Sequence, residues 1–70
     1  MKNRLVKNYN GYKVIRENED GTKTIVAKIE KCNKGYYIKS IYNESKKEWF
    51  TPKYFSWFRT LKDVKRFYEI

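Results

Sequence analysis

The chain has 70 residues, with 17 Lys and Arg against 8 Asp and Glu, no histidine and a formal charge of +9 at neutral pH. The single cysteine, Cys32, excludes an intrachain disulfide, and the lack of histidine and of further cysteines excludes a Cys/His zinc set. A chain this short buries only about 60% of its unfolded surface, so it forms one domain whose core must come largely from its seven Tyr, four Phe and two Trp.

In chain order, residues 1–10 read as a basic N-terminal arm carrying Lys2, Arg4 and Lys7. A single β-β-β-(β)-α domain is expected over 11–70. The first predicted strand is 11–17. Asp20-Gly21 follows as a hairpin turn. Residues 22–31, rich in Thr, Val and Ile, form the second strand. A turn at 33–35 leads to the third strand, 36–43. A short fourth strand at 48–51 ends at Pro52. Thr60-Leu-Lys-Asp63 starts a C-terminal helix in the manner of a capping box. Leu61, Val64, Phe67 and Tyr68 make its apolar stripe.

Register follows from the turns. A two-residue Asp20-Gly21 turn sets Tyr12 opposite Ile29, Val14 opposite Ala27 and Arg16 opposite Ile25 on one face. Lys13 then meets Lys28, Ile15 meets Val26 and Glu17 meets Thr24 on the other. A Lys34-Gly35 turn sets Glu30 opposite Lys39. The helix-facing side thus holds Tyr12, Val14, Ile25, Ala27, Ile29, Tyr36, Ile38, Tyr42 and Trp49. The outer side holds Lys13, Ile15, Val26, Lys28, Tyr37, Lys39, Ile41 and Phe50, because successive side chains alternate. The fold class is α+β: a small curled antiparallel sheet of three to four strands with one C-terminal helix packed across it. If 53–58 fold over the outer side, the sheet becomes a partly closed barrel.

The charge exceeds the roughly 2–8 that keeps a small domain soluble, and so points to a polyanion or an acidic surface. Lysines interleaved with aromatics suit nucleic acid, because ammonium groups meet phosphates and rings stack on bases. A three-stranded sheet also has the shape to enter a major groove. The leading expectation is a small nucleic-acid-binding protein, for DNA or RNA. Lys13, Lys28 and Lys39 would contact phosphate, with Tyr37 packing on the chain. Lys2, Arg4 and Lys7 would add affinity from the arm, and Lys62 and Arg66 from the helix. Trp57 lies in the aromatic run 54–58, which serves either as core filler or as an exposed anchor.

The rival expectation is a protein-binding inhibitor or adaptor that docks on an acidic or nucleic-acid-binding groove of a host enzyme. The chain's size and Lys/Asn/Tyr bias suit phage or mobile-element proteins of that kind. Catalysis is not expected, since the commonest general base is missing and the carboxylates are scattered. Solvated acidic turns outnumber metal sites, so Glu17, Glu19 and Asp20 are not assigned a metal. No cofactor is expected. A lone thiol fits a reducing compartment, and no signal-type or membrane-length apolar run is visible. The expectation is therefore a cytoplasmic monomer or weak dimer with no membrane partner.

Two resemblances concern topology. The stretch Phe58-Arg-Thr-Leu-Lys-Asp63, opening a helix after a three-stranded sheet, resembles the AP2-type and integrase arm-binding DNA domains. That likeness implies a sheet that reads DNA. Their small residue after the acidic position is Val64 here, and 49–57 is extra to their pattern. The order Tyr36-Tyr-Ile-Lys-Ser-Ile-Tyr42, Trp49, Pro52 and a terminal helix is similar to chromo-like SH3 barrels, including small archaeal chromatin proteins. Neither resemblance carries a site residue across.

Overall fold

The computed structural model describes residues 2–52 and 57–70. Six strands and one helix follow in order: β1 (Lys2–Asn8), β2 (Gly11–Glu17), β3 (Lys23–Cys32), β4 (Gly35–Asn43), β5 (Glu48–Phe50), β6 (Trp57–Phe58) and α1 (Leu61–Phe67). The sheet is an antiparallel meander, β1-β2-β3-β4-β5, with β6 also paired to β4. The architecture is α+β, with more strands than the three to four expected and without closure into a barrel among the described residues.

The stretch expected as a basic arm contains β1. Leu5 lies opposite Val14, and along this edge strand Lys2 and Arg4 share the outer side while Lys7 lies on the other. Charges along an edge strand discourage pairing with other chains. The strand is held by its pairing with β2 at seven positions, with Leu5 as its contact to the core.

A bulge divides the expected β2–β3 register into correct and shifted halves, and the β3–β4 register differs from the expected one along its whole length. Tyr12↔Ile29, Lys13↔Lys28 and Val14↔Ala27 hold as expected, but beyond them Ile15 meets Ile25, so Val26 is the extra residue. The turn here is longer than two residues. Gly21 N donates to Asn18 O at 3.1 Å and Asn18 N to Thr22 O at 2.8 Å. Asp20 accepts from the Thr22 backbone N–H at 3.0 Å and from its hydroxyl at 2.6 Å. In the next hairpin Cys32 pairs with Gly35, so Asn33-Lys34 is the turn and Glu30 meets Tyr37. Ile29↔Ile38 is followed by Lys28↔Ser40, which leaves Lys39 as the extra residue.

Each bulge inverts the faces beyond it. Tyr12, Val14, Ala27, Ile29, Tyr36 and Ile38 face the helix as expected. Ile25, Tyr42 and Trp49 do not: Ile25 pairs with outward Ile15, and Tyr42 with Trp49. Ile41 goes inward instead, opposite Ala27, and Val26 also packs against the core. Phe50 follows its partner Ile41 to that side, so its expected outer placement is corrected too.

The core is small: Val14, Ala27, Ile29, Ile38 and Val64, with Leu5, Tyr12, Tyr36, Phe58, Leu61 and Tyr68 packed around it. Val14 and Val64 are fully buried. Thr60 caps the helix, its hydroxyl accepting from Asp63 N at 3.3 Å. Phe67 completes the expected stripe by its ring contact with Phe58, at 5.4 Å, although it remains exposed. The helix ends in a Schellman turn, with Glu69 N bonded to Arg66 O and Ile70 N to Lys65 O. Glu69 occupies the left-handed position there, at φ 57°. No helix of the described residues is long and apolar enough to cross a membrane.

Candidate nucleic-acid interface

The outer face is built row by row from the register. Val6, Lys13, Lys28 and Ser40 form one row across β1 to β4. Arg4, Ile15 and Ile25 form the next. Tyr42 and Trp49 extend the surface on β4 and β5, and Tyr37 and Trp57 on β4 and β6. Lys23, Thr24, Ile25, Tyr42 and Trp49 line a shallow open hollow here. Trp49 is 39% exposed and Trp57 44%.

The Tyr42 and Trp49 rings are tilted against each other at 5.3 Å. The Lys28 Nζ lies over the Trp49 ring, 4.7 Å from its centroid, in cation–π geometry. Lys13 stands directly opposite Lys28. Three ion pairs join the described residues: Arg4–Glu17 at 3.8 Å, Lys39–Glu30 at 3.2 Å and Arg16–Glu44. Lys13 and Lys28 belong to none of them, so the row they form is a local excess of positive charge.

Glu30 organises the β6 end of the face. Its carboxylate accepts the Tyr37 hydroxyl at 2.9 Å and also faces Lys39. The Tyr37 hydrogen bond, with Lys39 second, holds the Glu30 carboxyl below its ordinary range. The same bond pushes the Tyr37 phenol above its ordinary value. The Lys39–Glu30 pair expected from register therefore forms diagonally, with Lys39 at the bulge.

The predicted site residues separate into two groups. Lys2, Arg4, Lys13, Lys28, Tyr37, Lys39 and Trp57 share the outer face. Lys7 points with Tyr12 toward the other side, near the β1–β2 turn. Lys62 and Arg66 are exposed on the helix, which packs on the inner side. The aromatic residues 54 and 55, weighed with Trp57 as filler or anchor, lie outside the described residues. Trp49 and Tyr42 were missed as outer-face residues, because the bulge that turns them outward leaves no mark in alternation.

The acidic hairpin tip is occupied by its own contacts, since Asp20 caps Thr22 and Glu17 faces Arg4. Among the described residues, no group of three or more His, Cys, Asp or Glu is placed to hold a metal. Comparison with protein-family models, curated proteins and solved structures finds no match to this chain.

Proposed function

We propose that this protein is a binding module for nucleic acid, DNA or RNA, and that the outer face of its sheet is the contact surface. The observation that supports this best is the Lys13–Lys28 row beside Trp49 and Tyr42. Like charges directly opposite each other on a sheet cost stability. An anion between them converts that cost into attraction. Aromatic rings on the same face supply contacts that do not depend on base identity. Lys39 and Arg4 are held by carboxylates, so Lys13 and Lys28 carry the phosphate contacts. The protein acts in the cytoplasm on this reading, where Cys32 stays reduced.

Fluorescence anisotropy with labelled duplex DNA, single-stranded DNA and RNA tests the reading. Binding should weaken steeply with salt, because each neutralised phosphate releases counterions. A double Lys13→Ala/Lys28→Ala variant should bind more weakly and with a shallower salt slope. No binding to any of the three at low salt sinks the proposal and leaves an acidic protein surface as the partner.

A further inference from the structure

We infer that the occupant of the outer face is a single strand, with unpaired bases stacked on Trp49 and Trp57. The inference rests on the preceding reading that this face binds nucleic acid, and it names the form bound.

The sheet is wider than a major groove. Five strands abreast at about 4.8 Å span roughly 19 Å between the outer strand axes, against a major groove about 12 Å wide. A three-stranded ribbon could enter that groove, but β1 and β5 make this sheet too broad to enter flat. A duplex could meet the face only through its phosphates. Its bases are stacked on one another, so exposed tryptophan rings would find no partner.

The two tryptophans are spaced along one edge. Trp49 lies opposite Tyr42 and Trp57 opposite Tyr37, so both Trp side chains flank the same edge of β4. Five positions along β4, less the bulged Lys39, separate them by roughly 13–17 Å. That length suits two stacked bases within a short stretch, at the lower end of the ~4–16 nucleotides that sheet-based single-strand sites cover.

Binding also sets up an exchange at Lys28. Its ammonium covers the Trp49 ring in the free protein. An exposed cation–π contact is weaker than a base stack. An arriving base therefore displaces the ammonium and frees it for a phosphate beside Lys13. A duplex offers no base for the exchange, so recruiting Lys28 to its phosphate forfeits the ring contact with no stack in return.

The test uses the full chain with oligo-dT, oligo-rU and a mixed-sequence duplex of equal length, all at one salt concentration, read by anisotropy and tryptophan fluorescence. One or both single strands should bind at least about tenfold tighter than the duplex and quench the tryptophans. The two single-strand arms separate DNA from RNA, and a preference for either supports the inference. Trp49→Ala should weaken single-strand binding roughly 5- to 150-fold, the span of one lost stack, and leave duplex binding level or slightly tighter, since Lys28 is released from the ring. Trp49→Phe, which keeps a ring, should restore most of it, and circular dichroism checks that both variants are folded. Equal or tighter duplex binding overturns the inference and leaves the broader reading standing, as does unchanged single-strand affinity in Trp49→Ala. Failure to bind all three ligands overturns both.

Discussion

The Lys28 side chain has two neighbours of opposite consequence: the Trp49 ring, with its centroid 4.7 Å from Nζ, and the ammonium-bearing chain of Lys13 directly across β2 and β3. The ring attracts the ammonium and Lys13 repels it. Both forces draw Lys28 along the face toward β5. The outer surface is thus set with the Lys28 charge resting on an aromatic platform.

Lys13→Ala should expose the cost of that arrangement. Removing one of two facing lysines relieves repulsion, so stability should stay level or rise by up to about 1 kcal/mol. Affinity should fall, with the salt slope shallower by about 0.7 on a single strand or about 0.9 on a duplex. Urea unfolding and a salt titration on the same protein measure both. A clear loss of stability would show that Lys13 holds the fold together by a contact of its aliphatic stem.

Acid should loosen the hairpin ends. Glu44 is held below its ordinary range by its hydrogen bonds to Arg16, Glu30 by Tyr37 and Lys39, and Asp20 by Thr22. A carboxyl depressed in the folded state contributes its full stability above its unfolded pKa and loses it as pH falls through the folded one. Stability should therefore be level near neutrality and decline below about pH 4.5 for the two glutamates, from an ordinary value of 4.5, and below about 3.8 for Asp20. Glu44→Gln should be less stable than the parent at pH 7 and closer to it at pH 3. Urea midpoints at several pH values provide the check, and a constant difference between the two chains across that range would remove Glu44 as a source.

Two glycines should respond differently to alanine. At Gly35 (φ 139°) a Cβ would stand 2.2 Å from the Phe58 carbonyl oxygen, which is backbone and cannot swing aside. Gly35→Ala should push β6 off β4 and loosen the helix that follows it. At Gly21 (φ 88°) an added Cβ meets nothing within 4 Å, so only the backbone conformation is strained. Thermal unfolding should place Gly35→Ala well below Gly21→Ala, and the reverse order would contradict the packing at β6.

Glu69 offers a stabilising change. Its left-handed backbone at φ 57° costs a side-chain-bearing residue about 1–2 kcal/mol, part of which glycine returns through unfolded-chain entropy. Glu69→Gly should therefore stabilise the protein by about 0.5–1 kcal/mol, read as a higher urea midpoint with an unchanged slope.

Much of the fold was readable because it rests on local chemistry. Asp20-Gly21 marked the β2–β3 hairpin, and Thr60 with Asp63 marked the helix start. The alternation of Tyr12, Val14, Ala27 and Ile29 marked the inner face. The rest depended on interactions that single residues do not announce. The first strand pairs with β2 along its whole length but sets only Leu5 against the core, so its sequence resembles a charged tail. The bulges at Val26 and Lys39 answer to packing between strands, and they reversed Ile25, Ile41 and Tyr42. The candidate surface was therefore half legible. Lys13 and Lys28 lie before the second bulge and were placed correctly, whereas Trp49 lies beyond it and was assigned to the core.

One contact bears on the order in which the molecule assembles. From β1 to β5 every sheet neighbour is also a sequence neighbour, so each pairing closes only a short loop and costs little entropy. The Asn3 side-chain amide donates to the Tyr68 carbonyl at 3.0 Å, across 65 positions of chain. Such a clasp forms after the hairpins have zipped, and a bond absent from the folding transition state acts on the unfolding rate. Asn3 and Tyr68 therefore influence how long the folded molecule persists, while the succession of turns governs how quickly it appears.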